Sequence, residues 1–270
     1  MRKLGLCLVV VVSLVSGLIA CGNDTKGEQQ VLKIGINGEV NSIWKSIQNR
    51  LADQGVTLEF VTFSDYNLPN TALADGEIDL NCFQTVSFFE QFIAAHDLKL
   101  ESLKSVYFAP MAIYSTVVSN IDEVADGAKV SIPNDSSNGG RALLLLQEAG
   151  LIELDEAALD SPTLKDIVSN PKNLEFIELV AQQIPRSFDD VTLAVMNNNV
   201  AIQSGISVID ESIFIESQKT EGIEQFFNMI AVQEGHKNDP LIQIFLEVYQ
   251  TEETKEAMYN EFNGGWIPLF

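Results

Sequence analysis

From Val31 onward the chain alternates short β-type runs with helical runs, and no other feature restricts its fold as much. Val31-Leu-Lys-Ile-Gly-Ile36 alternates like a strand. Ile43, Trp44, Ile47 and Leu51 then fall on one helical face, with Gly55 as a stop. Residues 56–61 read as the next strand, 65–70 as a turn, 71–76 as a short helix, 78–83 as a strand and 86–95 as a helix. In the last of these, Phe88 and Phe92, and Phe89 and Ile93, stand four apart, the spacing of a core stripe. Strands separated by helices at these intervals predict a parallel sheet covered on both faces. Residues 106–118 form a long apolar segment, predicted as a strand that leaves this unit.

A second unit begins at Ala128. A strand over 129–132 leads into the polar, turn-rich loop 132–141, and Ala142-Leu-Leu-Leu-Leu-Gln-Glu-Ala-Gly150 reads as a buried helix that Gly150 ends. A polar loop over 151–160, a helix over 163–169 and a strand over 174–179 follow. Residues 184–190 read as a loop and helix start, and Leu193–Met196 as a strand broken by Asn197-Asn-Asn199. Residues 223–233 and the helix 240–249 look like the first unit resumed. The expected fold class is α/β, in two lobes that are each completed by chain that has visited the other. Each lobe is a mixed, mostly parallel sheet flanked by helices. The predicted division is 31–116 with 222–270 for the first lobe and 117–221 for the second.

Residues 1–20 carry the pattern of an export signal, with Arg2 and Lys3 before the apolar run Leu4–Ile19. That run is short for a membrane span and gives way to polar chain. Its end, Leu18-Ile-Ala-Cys21-Gly22, resembles the lipobox of bacterial lipoproteins, which implies a diacylglycerol thioether on Cys21. Residues 21–30 then serve as a polar tether, and the domain is expected on the extracytoplasmic side of a cell or outer membrane. Loss of Cys7 with the signal and lipidation of Cys21 leave Cys82 alone, so no disulfide framework is available. Cys82 reads as a small buried hydrophobe. The formal charge of −22 becomes −24 without Arg2 and Lys3, which excludes nucleic acid as a partner.

The chemistry of enzymes is absent from the pattern. His96 and His236 lie in no HExxH arrangement, and there is no GxSxG elbow, phosphate-loop lysine or clustered His/Cys set. No cofactor and no metal are implied. Arg141, beside an apolar helix, is suited either to a ligand carboxylate or to pairing with a neighbouring acid.

Several stretches together resemble the methionine-binding lipoproteins of bacterial ABC uptake systems, the NlpA/MetQ type. They are Asp65-Tyr-Asn-Leu-Pro-Asn-Thr-Ala-Leu-Ala-Asp-Gly-Glu-Ile-Asp79, Pro110-Met-Ala-Ile-Tyr-Ser115, Ile132–Gly150, Asn170-Pro-Lys-Asn-Leu174 and Gln183-Ile-Pro-Arg-Ser-Phe-Asp-Asp-Val191. The resemblance covers nearly all of the mature chain. It implies a type II periplasmic-binding-protein fold that closes on a small amino acid and delivers it to a membrane permease and its ATPase.

Carried over by position, Arg141 corresponds to the arginine that grips the ligand's α-carboxylate, and Asn197 and Asn228 to binding-site asparagines. Phe63, Tyr66 and Phe83 fall where the family has aromatic residues, and Thr85, Phe88 and Asn138 complete the expected set. From the residues alone, the asparagines read more readily as turn formers and the aromatics as core, and the resemblance reverses that for the asparagines. The chain departs from the family where Cys82, Thr85 and Ser87 replace an aromatic, a histidine and a proline, and where Val200 replaces an aromatic. The implied ligand is methionine, a related amino acid or a methionine-containing dipeptide. A surface lipoprotein that keeps the fold without transport, as an adhesin or scaffold, is the rival of another class.

Overall fold

The computed structural model describes residues 30–270. The expected signal, the Cys21 anchor and the tether before Gln30 lie outside the described residues. The chain first lays down β1 (Gln30–Asn37), α1 (Ser42–Ala52), β2 (Val56–Phe63), α2 (Leu68–Ala74), β3 (Leu80–Thr85), α3 (Val86–His96) and β4 (Leu100–Phe108). It then builds β5 (Ala112–Tyr114), β6 (Lys129–Pro133), α4 (Ser136–Glu148), β7 (Glu153–Leu154), β8 (Ile167–Ser169) and β9 (Glu175–Leu179). After β10 (Leu193–Met196), α5 (Asn198–Gln203) and β11 (Ser212–Ile215) it returns for β12 (Phe227–Gln233), α6 (Pro240–Tyr249), α7 (Glu252–Phe262) and β13 (Ile267–Pro268). No described helix is long and apolar enough to cross a membrane.

Two sheets result. The first runs β13-β4-β12-β3-β1-β2 and the second β11-β5-β10-β6-β9, while β7 and β8 form a separate ribbon. β1 is parallel to β2 and β3, but β12 lies antiparallel between β3 and β4. In the second sheet β6 is parallel to β9 and β10, and β5 is antiparallel to β10 and β11. Antiparallel pairing is therefore more extensive than the helix–strand spacing predicts. The crossovers account for it. β3 and β4 run toward the second lobe, so β12, which re-enters from there, runs against them. The same geometry brings the C-terminal ends of β3, β6 and β10 and the start of β12 to one gap between the lobes, where open α/β sheets characteristically bind ligands.

Three expectations are corrected. Residues 106–118 are not one strand, because Pro110 has no N–H to donate and ends the ladder. The chain crosses at Ala109-Pro-Met111, so the first lobe ends before Ala112 rather than at 116, and β5 belongs to the second sheet. The helix expected over 163–169 is a single 3₁₀ turn, Leu164–Asp166, followed by β8. There Asp166 Oδ2 accepts from the backbone N–H (2.8 Å) and hydroxyl (2.7 Å) of Thr163 and closes the turn. Ile167 and Ser169 then pair with Leu154 and Glu153 of β7, in what reads as a polar loop.

The third correction concerns α4, which begins at Ser136 and takes in residues expected as loop. Asp135 caps it by accepting from the N–H of Asn138 (2.9 Å). Gly139 and Gly140 lie inside the helix because other backbone crowds it there. A Cβ would stand 2.8 Å from the Pro133 carbonyl oxygen at 139 and 3.1 Å from that of Pro162 at 140. Arg141 thus projects from the second turn, not from the helix mouth.

The lobes have separate cores. Ile34, Ile47, Leu51, Phe245, Tyr249 and Met258 fill the first beneath α1, α6 and α7. Leu143, Leu145 and Leu146 of α4 meet Val130, Ile132 and Leu193 in the second. Cys82 lies in the first core with Sγ 4.0 Å from the Tyr249 hydroxyl, and burial pushes its thiol up to about 12.

Two outcomes follow from this packing. Gly139→Ala is expected to lower stability by about 1–3 kcal/mol, the usual cost of overpacking. Thermal unfolding checks it, and the opposite sign, the gain of about 1 kcal/mol that helix propensity alone gives, would refute the close approach. Iodoacetamide at mildly alkaline pH is expected to modify Cys82 only after denaturation, read by intact mass.

Candidate ligand-binding site

The strand ends enclose a small cavity between the lobes. Tyr66, Phe83, Gln84, Thr85, Phe88 and Asn228 line it from the first lobe. Asn138, Arg141, Asn197, Asn198 and Asn199 line it from the second, with Ala109 of the crossover between them.

Arg141 is held on three sides. Its Nε donates to Glu216 Oε1 (2.9 Å), and Nη2 donates to Glu216 Oε2 (2.5 Å) and to the Ala109 carbonyl (3.0 Å). Both side chains are buried, Arg141 at 3% and Glu216 at 5% exposure. The guanidinium carbon lies 4.8 Å from the Phe226 ring centroid and 6.0 Å from that of Phe108. Glu216 Oε2 also accepts from the N–H of Met111 (3.0 Å), and the Glu216 N–H donates to the Met111 carbonyl (3.0 Å). Arg141 and Glu216 therefore clasp the outgoing crossover at 109–111 to the start of the return. Nη1 takes no partner among the described residues, on a side chain that lines the cavity.

The asparagines present their oxygens. Asn228, at the start of β12 and opposite Thr85 and Tyr107, donates its amide to the Phe83 carbonyl (3.3 Å) and the Tyr107 hydroxyl (3.2 Å). Its Oδ1 is the hydrogen-bonding atom left over. Asn197 donates to Asn138 Oδ1 (2.6 Å), and its own Oδ1 is buried without a partner among the described residues. A buried acceptor of this kind costs free energy unless a donor reaches it.

Opposite these polar atoms stands an aromatic wall. Tyr66, Phe83 and Phe88 form a triangle of ring contacts with centroids 6.0–6.2 Å apart. Phe88 reaches the cavity because the Thr85 hydroxyl caps α3 through the Phe88 N–H (3.2 Å), which fixes the first turn against β3. Burial raises the Tyr66 hydroxyl well above its ordinary value, the Asp135 charge adds to that and Arg141 opposes it. Tyr66 therefore stays a neutral donor. Across the mouth, Ser137 Oγ meets Ser87 Oγ (3.1 Å) and Ser136 Oγ meets Gln91 Oε1 (2.6 Å), joining α4 to α3.

Of the nine residues the sequence nominated, Arg141, Asn197, Asn228, Tyr66, Phe83, Thr85, Phe88 and Asn138 line this one cavity. Phe63 does not. It ends β2 and packs over Gly35 with Val61 in the first lobe, where a Cβ on Gly35 would lie 3.2 Å from its ring. Glu216, Gln84 and Asn198 were missed. Asn198 donates to the carbonyls of Pro110 (3.3 Å) and Gly265 (2.9 Å) and accepts from Trp266 Nε1 (3.0 Å), so it ties α5 to the first lobe. The Asn197–Asn199 run was the signal for it, whereas nothing in the pattern around Glu216 marks a buried acid.

The family profile described as NlpA lipoprotein matches residues 32–270. The chain belongs to the NlpA lipoprotein family. Among this family's curated members, the D-methionine-binding lipoprotein MetQ of Escherichia coli strain K12 is 39% identical over 254 residues, 93% of this chain and 92% of the relative. A nutrient-binding protein from Burkholderia cenocepacia, solved bound to methionine, superposes with a TM-score of 0.84 at 33% identity, covering 88% of this chain and all of its own. The substrate-binding protein of a methionine transporter from Streptococcus pneumoniae gives 0.83 at 31% identity, covering 89% and 96%. The NlpA fold is thus the two-lobed α/β fold of substrate-binding proteins.

The clasp generates a stability prediction for this NlpA-family chain. Glu216→Ala leaves the buried Arg141 without its partner and is expected to cost about 3–5 kcal/mol, read by chemical denaturation. A loss below about 1 kcal/mol would show that the pair is not buried in solution.

Proposed function

We propose that this chain is the lipid-anchored binding component of an ABC importer and captures methionine or a closely related amino acid. The observation that carries the reading is the set of polar atoms left free in the cavity: one guanidinium nitrogen and two amide oxygens, set against an aromatic wall. An α-amino acid matches all three features. Its carboxylate meets Arg141 Nη1, its ammonium donates to Asn197 Oδ1 and Asn228 Oδ1, and an apolar side chain lies along Tyr66, Phe83 and Phe88. A thioether suits that wall, because sulfur packs favourably against ring edges. The methionine named for the relatives supports the same ligand class.

Mechanism follows from the two crossovers. A ligand that enters the open gap contacts Arg141 and Asn197 on one lobe and Asn228 with the aromatics on the other, so its binding energy favours closure. Closure brings the serines of α4 onto α3. Cys21 carries the lipid, two or more acyl chains hold the domain at the membrane, and the closed form engages the permease and its ATPase. No reacting group is required at any step.

Isothermal titration of residues 26–270, unfolded and refolded to remove co-purified ligand, tests the reading. The ligands are L-methionine, D-methionine, Gly-Met, leucine and glutamine. Binding of methionine that Arg141→Ala weakens at least 100-fold is the expected result. Preference for another of these ligands would move the specificity and keep the clamp. Heat from none of them would overturn uptake in favour of a scaffold.

A further inference from the structure

The direction in which Asn197 faces the cavity is set from outside it. Asp135, the N-cap of α4, is most of the way buried and accepts from both the backbone and the side chain of Asn138. Asn138 Nδ2 lies 2.9 Å from Asp135 Oδ1 and 3.1 Å from Oδ2. An ionised carboxylate only accepts, so the NH₂ end of Asn138 must point at it. The Asn138 oxygen is thereby turned to Asn197 Nδ2, 2.6 Å away, and the oxygen of Asn197 is turned to the cavity, where it is buried and unpaired. Each amide has two orientations of nearly equal shape, and the carboxylate at the end of the row removes the choice from both.

We infer that Asp135 is a positioning residue for ligand selection: through Asn138 it holds Asn197 with an acceptor toward the ligand, and so makes the site require a primary ammonium. The inference rests on the amino-acid reading above and deepens it. With the row reversed, Asn197 would present N–H donors to the ammonium, an unfavourable pairing, and would tolerate a ligand that lacks the amine. Asp135 is not among the residues that line the cavity, although its charge reaches the Tyr66 hydroxyl there.

Asp135→Asn tests this, because asparagine is as good an N-cap as aspartate yet can donate as well as accept. Asn138→Ala keeps the carboxylate and breaks the row. Two readouts are needed. The first is nitrogen-15 NMR of the Asn197 side-chain amide in the ligand-free protein, where hydrogen bonding to Asn138 slows proton exchange. The second is calorimetry with L-methionine and its des-amino analogue, 4-(methylthio)butanoate. The expected result is fast Asn197 amide exchange in both variants, methionine affinity lowered at least tenfold, affinity for the analogue held or raised, and a melting temperature near wild type for Asp135→Asn. Equal losses for the two ligands would overturn the inference and leave Asp135 a helix cap. Methionine binding retained in Asn138→Ala but lost in Asp135→Asn would also overturn it, since that pattern is long-range charge attraction. A wild-type protein that binds no amino acid would sink the uptake reading instead, and the amide spectra alone would then decide the row.

Discussion

The arrangement of this molecule depends on one buried ion pair. Arg141 and Glu216 meet where the two crossovers pass, and each is costly to bury alone. Together they satisfy one another, the Ala109 carbonyl and the Met111 N–H. Pairing a guanidinium with one carboxylate uses Nε and Nη2 and leaves Nη1 for another. The residue that fastens the hinge is therefore also the residue that offers a charge to the cleft. In the proposed complex a ligand carboxylate at Nη1 and Glu216 on the far edge would share one planar cation, whose geometry the Glu216 pair already fixes.

The same economy governs the asparagines. Asn228 gives its amide to the Phe83 carbonyl and the Tyr107 hydroxyl, Asn197 gives one N–H to Asn138, and each keeps an Oδ1 without a partner among the described residues. Oxygens on both sides of the gap and a cation on one side suit the zwitterion proposed as ligand. These atoms come from β12 in one lobe and from the second turn of α4 and the N-cap of α5 in the other.

Much of this was legible in the sequence, for physical reasons. The alternation from Val31 and the Ala142–Leu146 run encode the two sheets and the buried helix, since apolar periodicity is the strongest local signal. Site residues were placed through resemblance, and eight of the nine meet at one cavity. What was not legible is tertiary. Gly139 and Gly140 read as loop because the reason for glycine, the Pro133 and Pro162 carbonyls, lies elsewhere in the chain. Phe63 read as site through the resemblance alone, and no local signal showed that it packs over Gly35 instead. Glu216 read as one acid among many, and only the crossover it lies beside explains its burial. The Pro110 break had a signal, a residue that cannot donate, and the apolar run around it hid that signal.

The central claim is that Arg141 serves hinge and ligand at once. A crystal structure of residues 26–270 grown with L-methionine tests it most directly. The account requires the ligand carboxylate on Arg141 Nη1 with the Glu216 pair intact, and the ammonium on the oxygens of Asn197 and Asn228. A carboxylate that displaces Glu216 from Arg141, or a ligand seated away from Arg141, would contradict it.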